Sequence, residues 1–203
     1  MVTSDDRPLH VERRAQFLSV AKRVFAQHGY QSTTMDDIAR EAGFTKPILY
    51  QYFESKALLY QEIVATTGAA LIEQLANAVA TKEIPRERIA IAFRVYFDMV
   101  VNDSEAFRIL FTHTHDGETA GELRKVEMNF VAFLVPYIDT SVGHDARRQL
   151  AAGIVGLAEG AAIMWLSQQQ TKGWPTPHAD AAERLAEHCT ALAWGGLRAV
   201  LRD

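Results

Sequence analysis

The segment that most constrains the fold spans residues 33–56 and reads TTMDDIAREAGFTKPILYQYFESK. Thr34, with an acidic residue three positions later, is typical of the start of a helix, and Gly43 is typical of a sharp turn after it. Thr45 is a favourable N-cap for a further short helix, and Pro47 is tolerated in the first turn of that helix. The segment therefore predicts two short helices joined by a tight glycine turn.

Apolar side chains in this segment are spaced so that the two short helices can pack against each other. Ala39 is small enough to permit a close approach of the helices, and Ile38 and Leu49 supply apolar contact. Phe53 continues the buried face one turn after Leu49, because residues four apart lie on the same side of a helix. Together with the glycine turn, this pattern predicts a helix-turn-helix unit.

The face opposite Leu49 indicates contact with duplex DNA. An isolated surface helix would seldom point Pro47 and Ile48 outward, whereas a helix in a major groove can place both against thymine methyl groups. Gln51 lies on the same side and can hydrogen-bond to an adenine edge, and Lys46 can reach a guanine edge or a phosphate. We therefore predict that the helix starting at Thr45 reads base pairs.

Other polar residues of the segment are placed to contact phosphate. The hydroxyl groups of Thr45 and Tyr50 can donate hydrogen bonds to phosphate oxygens. Thr34 and Lys56 lie at helix starts, where free N–H groups favour an anion. The alternative is that Thr34 and Ser55 only cap their helices. The whole array, rather than any one residue, indicates a DNA-reading surface.

The rest of the chain predicts an all-α fold, because apolar residues recur at steps of three and four. The stretch VYFDMVV at residues 95–101 is rich in strand formers but lies within a helical pattern, so it is predicted as helix. Pro136 should end or kink the seventh helix. Residues 1–55 are expected to form the helix-turn-helix domain and residues 56–203 the body. Cap and breaker residues predict nine helices, at about residues 10–28, 34–42, from 45, 55–80, 86–102, from 103 or 104, 120–138, 146–170 and 179–201.

Composition excludes several other classes of protein. The net charge of −4 argues against a protein that coats nucleic acid indiscriminately, and its division into +1 for residues 1–56 and −5 for the remainder leaves the amino end mildly cationic relative to an acidic body. Cys189 is the only cysteine, which excludes an internal disulfide framework and fits a reducing cytoplasm. Residues 150–167 are strongly apolar, but they fall short of the ~20 residues that a membrane span needs and carry Glu159 at their centre. We therefore expect a cytoplasmic protein without a membrane span.

The motif F…G…TT…DIA..AG.TK..LY.YF.SK..L, over about residues 14–59, resembles the tetracycline-repressor (TetR) family. The resemblance implies a nine-helix fold, a homodimer on a palindromic DNA operator, and a small-molecule effector that relieves repression from within the C-terminal body. Tyr52 stands where many members have histidine, and Phe44 stands where a smaller aliphatic residue is usual, which bears on the operator rather than on the fold. The resemblance implicates seven residues in DNA contact: Thr34, Thr45, Lys46, Pro47, Tyr50, Tyr52 and Lys56.

Small residues in the last two helices predict a dimer interface. Glycine within a helix costs ~1 kcal/mol relative to alanine, so its repetition indicates close contact between helices. In the TetR family, the last two helices of each subunit form an intersubunit four-helix bundle, and the alternative is packing within one subunit. The residues expected in the interface are Gly153, Gly156, Gly160, Ala186, Ala193 and Gly196.

Aromatic residues concentrate in the middle helices and predict both a core and a ligand cavity. The TetR resemblance implies a cavity among the fourth to eighth helices, and an apolar lining suits a lipophilic or aromatic effector. The residues expected to line it are Phe93, Phe97, Phe111, Phe130 and Trp165, with Glu159 as a polar contact.

Enzyme chemistry is not indicated by the sequence, and no cofactor is expected. His113, His115 and Asp116 could hold a metal, but two histidines on one loop without a third strong ligand are more typical of a solvated loop. No phosphate-cradling glycine loop, G-x-S-x-G or H-E-x-x-H motif is present. Two alternatives remain: a helix-turn-helix regulator controlled by protein partners without a ligand, and an all-helical enzyme.

Overall fold

The computed structural model describes residues 6–111, 119–138, 141–171 and 180–200. Within these ranges the chain forms nine α-helices and no strand, which confirms the predicted all-α, nine-helix fold. The loop with His113, His115 and Asp116 lies outside the described residues. The helices are α1 (Asp6–His28), α2 (Met35–Glu41), α3 (Lys46–Tyr50), α4 (Lys56–Ala80), α5 (Pro85–Asn102), α6 (Ser104–Phe111), α7 (Ala120–Leu134), α8 (His144–Thr171) and α9 (Ala181–Val200).

Local sequence signals fix the turns of the N-terminal region. Gly29 (φ 80°) follows α1 and Gly43 (φ 78°) lies between α2 and α3, in the left-handed region that glycine adopts without strain. At the start of α2 the predicted capping box is present: the Thr34 hydroxyl accepts from the backbone N–H of Asp37, and the Thr34 N–H donates to the Asp37 carboxylate at 3.0 Å. The Ser55 hydroxyl caps α4 by accepting from the N–H of Leu58 at 3.1 Å.

Local sequence signals also determine where helices begin and end in the body. The Asp103 carboxylate accepts from the N–H of Ala106 at 3.0 Å and so caps α6. The VYFDMVV stretch is helical within α5, as predicted. Helix α7 ends at Leu134, and residues Val135–Tyr137 continue as a 3₁₀ turn containing Pro136. The predicted seventh helix is therefore correct in position, and its last turn is tightened where proline cannot continue the α-helical hydrogen bonds.

The three N-terminal helices and the body share one continuous core. Phe17 and Phe25 of α1 are fully buried, and the same core extends through Phe97 of α5 to Cys189 of α9. Helix α1 packs against α2, α4 and α6, so it contacts both the helix-turn-helix and the body. Because one cluster of buried apolar residues spans both regions, α1 packs directly onto the body.

Two ion pairs reinforce the attachment of α1 to the body. The Arg14 guanidinium forms a bidentate salt bridge with the Glu62 carboxylate of α4. Lys22 Nζ lies 3.0 Å from the Asp103 carboxylate, at the start of α6. Both pairs are partly exposed and contribute little to stability, so their main effect is to orient α1.

Helix α4 crosses α7 at a very close contact. Gly68 of α4 is buried, and a Cβ placed on it would lie 2.6 Å from Cγ1 of Val126 in α7. Any side chain larger than hydrogen at residue 68 would therefore push the two helices apart.

Helix α8 is apolar but largely uncovered by its own subunit. Helices α4 and α8 are each long and apolar enough to cross a membrane by length and composition, but only 17% of the most apolar 18 residues of α8 are buried inside the subunit. Met164, with 59% of its surface exposed, lies on the open side of α8. The fold therefore leaves an apolar helix face that a further partner could cover.

Candidate DNA-binding surface and ligand cavity

Helix α3 is held by its apolar side, as the sequence predicted. Leu49 is fully buried and Phe53 nearly so, whereas Lys46, Pro47 and Gln51 are exposed. Tyr50 is also exposed, and Ile48 is half-buried, with part of its side chain packed against the core. The outward surface of α3 is thus free to enter a groove, with Ile48 at its inner edge.

Thr34 and Thr45 occupy equivalent helix starts but differ in the bonds of their hydroxyl groups. The Thr34 hydroxyl donates to the Asp37 carboxylate at 2.6 Å, and this bond helps to lower the pKa of Asp37. The exposed Thr45 hydroxyl makes no capping bond to α3. Thr45 is therefore better placed to donate to a phosphate, because Thr34 already serves a neighbouring carboxylate.

Lys56 makes internal contacts that the sequence did not reveal. Its ammonium donates to the carbonyl oxygens of Tyr30 at 2.9 Å and Thr33 at 3.0 Å, and it lies 4.2 Å from the centroid of the Tyr30 ring. A lysine has three N–H donors, so one remains for phosphate. Lys56 thus fixes the turn between α1 and α2 and places a positive charge beside the start of α2.

Tyr52 is also anchored within the N-terminal helices. Its ring stacks on His10 with a centroid separation of 4.4 Å and lies 5.2 Å from Phe17. Phe44 meets the Phe17 ring edge-on at 5.1 Å. Phe44, which precedes α3, and Tyr52, which follows it, therefore both contact Phe17 of α1, and these contacts hold both ends of α3 against α1.

A cavity of about 90 Å³ lies in the body between α4, α5, α6, α7, α8 and α9. Its exposed members, Pro85 and Tyr137, mark the mouth, and Phe93, Phe130 and Ala158 lie deeper. The lining residues are Leu75, Val79, Pro85, Arg88, Ile89, Ala92, Phe93, Tyr96, Phe111, Phe130, Phe133, Leu134, Tyr137, Ile138, Ile154, Val155, Ala158 and Leu197.

The predicted ligand residues divide into two groups. Phe93, Phe111 and Phe130 line the cavity. Phe97 does not, because it is fully buried in the core, where its ring packs on those of Phe93 and Tyr96. Trp165 and Glu159 are also absent from the lining: Trp165 is partly buried and packs against the core, and Glu159 lies ~100° around α8 from the lining residue Ala158. The lining adds Phe133 and Leu134 at the end of α7 and Ile138 after it, so the cavity lies further toward the end of α7 than the sequence indicated.

Polar groups in the lining were missed at the sequence level. Arg88, Tyr96 and Tyr137 are its members with hydrogen-bonding side chains. A signal was available, because Pro85, Ile89 and Tyr96 follow helical spacing on α5. Periodicity identifies such a face as inward but does not say whether it meets a cavity or packed side chains.

Tyr96 stands out because its hydroxyl oxygen is buried and has no hydrogen-bond partner among the described residues. Burial raises the pKa of Tyr96 well above its ordinary value, and Glu159 and Cys189 raise it further. The group therefore stays a protonated donor at physiological pH.

The dimer prediction is corrected at two positions. Ala186 and Ala193 are 5% and 8% exposed and belong to the subunit's own core, because this face of α9 packs along α5. Gly153, Gly156, Gly160 and Gly196 are exposed, and a Cβ added to any of them would meet nothing within 4 Å.

Together, the exposed α3 surface and the helical body with its cavity define a helix-turn-helix transcription regulator with a ligand-binding domain. Residues 17–63 match the family model for bacterial regulatory proteins of the tetR family. The chain is 30% identical over 190 residues to the HTH-type transcriptional activator FasR of Mycolicibacterium smegmatis, covering 92% of this chain and 83% of FasR. The chain belongs to the TetR family of ligand-responsive, DNA-binding transcription regulators, as its sequence motif predicted.

Solved structures agree with this fold. FadR from Bacillus subtilis, in complex with stearoyl-CoA, superposes with a TM-score of 0.71 at 16% identity, covering 87% of this chain and 97% of FadR. AibR, in complex with isovaleryl coenzyme A and operator DNA, superposes with a TM-score of 0.67 at 22% identity, covering 89% of this chain and 97% of AibR. At these identities the likeness establishes the common fold.

Proposed function

We propose that this protein binds a palindromic operator as a homodimer and releases it when an acyl-CoA occupies the body. The acyl part would enter the apolar cavity, while the phosphates would stay at the mouth beside Arg88. The observation that carries this proposal is a cavity lined almost wholly by apolar side chains with one guanidinium near its opening. Such a site favours a ligand with an apolar tail and an anionic head. The protein itself would bind its DNA operator in the cytoplasm.

The mouth supplies the expected contact for an anionic head. Arg88 Nε donates to the carbonyl oxygen of Lys82 at 2.8 Å, which fixes the guanidinium, and its Cζ lies 5.9 Å from the centroid of the Tyr137 ring. The two terminal nitrogens of a guanidinium suit phosphate oxygens. Arg88 is thus positioned by the protein rather than free to follow the ligand.

The interior supplies the contact for an acyl tail, but only if it opens. Each methylene group transferred from water contributes ~0.8 kcal/mol. The cavity volume of about 90 Å³ is below the ~300–1,000 Å³ of typical ligand pockets. We infer that ligand entry moves the aromatic walls, including Phe111. The acyl-CoA complexes of FadR and AibR support this ligand class on the same fold.

Movement of Phe111 would be transmitted to the N-terminal helices through the contacts of α6 with α4 and α1. Phe111 ends α6, whose Ile109 carbonyl accepts a hydrogen bond from the Tyr60 hydroxyl of α4 at 3.2 Å. At the other end of α6, Asp103 pairs with Lys22 of α1. A ligand changes operator affinity only if it prefers one arrangement of the two reading helices, and this route links cavity shape to that arrangement.

The homodimer is proposed from the open faces of α8 and α9. Gly153, Gly156 and Gly160 form a stripe along α8, and Leu192, 65% exposed, lies near Gly196 on the outer side of α9. A symmetric pair of subunits would bury these faces against each other. It would also present two α3 helices to half-sites ~34–36 Å apart. We retain residues 1–55 as the DNA-binding unit and residues 56–203 as the sensing unit within this proposal.

DNA contact is proposed for the nine residues that the sequence indicated, but they are now divided into residues that contact DNA directly and residues that partly position the helices. The exposed surface of α3 and Thr45 would supply direct contacts. Thr34, Tyr52 and Lys56 would act partly by holding α2 and α3 in place. The nine residues are Thr34, Thr45, Lys46, Pro47, Ile48, Tyr50, Gln51, Tyr52 and Lys56.

The test begins by selecting bound fragments from genomic DNA and measuring operator affinity by fluorescence anisotropy. Acyl-CoAs from butyryl to stearoyl should release the operator, whereas coenzyme A alone should not. Arg88→Gln should weaken acyl-CoA binding about tenfold, through loss of a charge-assisted contact. Arg86→Gln is the matched control, because Arg86 is exposed on the outside of the same helical turn and does not line the cavity.

Three outcomes contradict parts of the proposal. Release by coenzyme A alone would remove the role of the apolar cavity. No acyl-CoA effect at any chain length would reject the ligand class and favour control by a protein partner. Tighter operator binding in the presence of acyl-CoA would keep the ligand but reverse the sign of regulation.

A further inference from the structure

We propose that the Tyr96 hydroxyl donates a hydrogen bond to a neutral carbonyl oxygen of the bound ligand, the thioester carbonyl of an acyl-CoA. This inference rests on the proposed function above and assigns the polar group that orients the ligand inside the cavity. Glu159, the polar contact expected from the sequence, does not line the cavity, whereas Tyr96 does.

The first support is the unused hydrogen-bonding capacity of Tyr96. Its side chain is 8% exposed, and its hydroxyl has no partner among the residues that the structure describes. A buried hydroxyl without a partner destabilises a fold, and phenylalanine in the same place would avoid that cost. An unpaired donor beside a cavity is therefore accounted for if a ligand supplies the acceptor.

The second support is the location of Tyr96 along α5. It lies eleven residues after Pro85 and on the same helical face, which places it ~16 Å along α5 from Pro85 at 1.5 Å per residue. The Tyr96 ring meets the Phe111 ring edge-on at 5.7 Å, next to the proposed route to the DNA-binding helices. A ligand with its phosphates near Arg88 would carry its thioester inward on the pantetheine arm to this depth.

The third support is the charge around the hydroxyl. Glu159 and Cys189 lie close enough to raise the pKa of Tyr96, in addition to the larger effect of burial. A second negative charge, such as the carboxylate of a free fatty acid, is disfavoured in such a place. A thioester carbonyl is uncharged and accepts a hydrogen bond, so the site selects the thioester over the free acid.

The experiment compares two ligands that differ only at the carbonyl group. The first is the acyl-CoA that binds wild-type protein best in the butyryl-to-stearoyl series, and the second is the S-alkyl-CoA thioether of the same length. Tyr96→Phe should reduce acyl-CoA affinity five- to tenfold, measured by calorimetric titration, and change thioether affinity less than twofold. The unliganded variant should melt at the wild-type temperature or above, because it no longer buries an unpaired hydroxyl.

The outcomes separate this inference from the proposed function. If wild-type protein binds no acyl-CoA, the proposed function fails and the Tyr96 assignment fails with it. If wild-type protein binds acyl-CoA but Tyr96→Phe binds it equally well, only the Tyr96 assignment is overturned. An equal loss for thioester and thioether would also overturn it, because that result shows a packing role.

Discussion

Replacing Gly68 by alanine should destabilise the protein, although alanine is the better helix former. The added Cβ would lie 2.6 Å from Cγ1 and 3.1 Å from Cγ2 of Val126. Ordinary carbon contacts need ~3.5–4.0 Å, so α4 and α7 must separate by about 1 Å. Overpacking of a core costs ~1–3 kcal/mol, and both methyl groups are involved, so we take ~2–3 kcal/mol here.

The gain in helix propensity from glycine to alanine offsets ~1 kcal/mol of this cost. The net loss is therefore ~1–2 kcal/mol, which corresponds to a fall in Tm of ~2–8 °C for a chain of this size. Thermal unfolding followed by circular dichroism measures it directly. Gly121→Ala is the matched control: Gly121 also lies in a helix, and a Cβ there would meet nothing within 4 Å. The control should match or exceed wild-type stability.

A double-mutant cycle identifies the cause. Val126→Ala removes both methyl groups that obstruct residue 68, so the Gly68→Ala/Val126→Ala protein should be more stable than the sum of the single effects predicts. We expect a favourable coupling of at least ~1 kcal/mol. The reasoning is refuted if Gly68→Ala is as stable as wild type, or if the two substitutions are additive.

Further predictions concern DNA binding and assembly. Lys56→Ala should weaken binding to all DNA sequences alike and reduce the slope of log affinity against log salt concentration by about one unit. Gln51→Ala should instead change the preference among sequences. Equal losses of affinity on operator and scrambled DNA for both variants would contradict this division. Because Lys56 also bonds two carbonyl groups, Lys56→Ala should in addition lower Tm, unlike Gln51→Ala. Gly156→Leu should yield a folded protein that is monomeric by analytical ultracentrifugation and binds the operator weakly. Gly121→Leu, the control, should stay dimeric. A dimeric Gly156→Leu protein would place the interface elsewhere.

The fold was predictable because its signals are local. Gly43 and the capping box at Thr34 act within a few residues, and the burial of Leu49 and Phe53 follows from helical periodicity. Such signals depend on backbone geometry that each short segment determines for itself. They were sufficient to predict the α2–turn–α3 unit and the outward surface of α3.

The cavity was only partly predictable, since its position depends on how distant helices meet. Phe93 and Phe97 are both buried and one turn apart on α5, yet only Phe93 lines the cavity. Ala186 is small enough for either a subunit interface or an internal helix contact, and its type does not distinguish them. The contacts of Lys56 with Tyr30 likewise arise only after the chain has folded, as does the lack of a partner for the Tyr96 hydroxyl within the described ranges.

The attachment of α1 to the body bears on how such regulators can be recombined. We expect that residues 1–55 cannot be exchanged alone, because Arg14 and Lys22 are paired with Glu62 and Asp103 on the other side of the boundary. A chimera that joins these helices to a foreign sensor would lose both pairs and the buried α1–α6 contact. To respond to a new ligand and keep the DNA specificity of this protein, the chimera would also need the surfaces of α4 and α6 that contact α1.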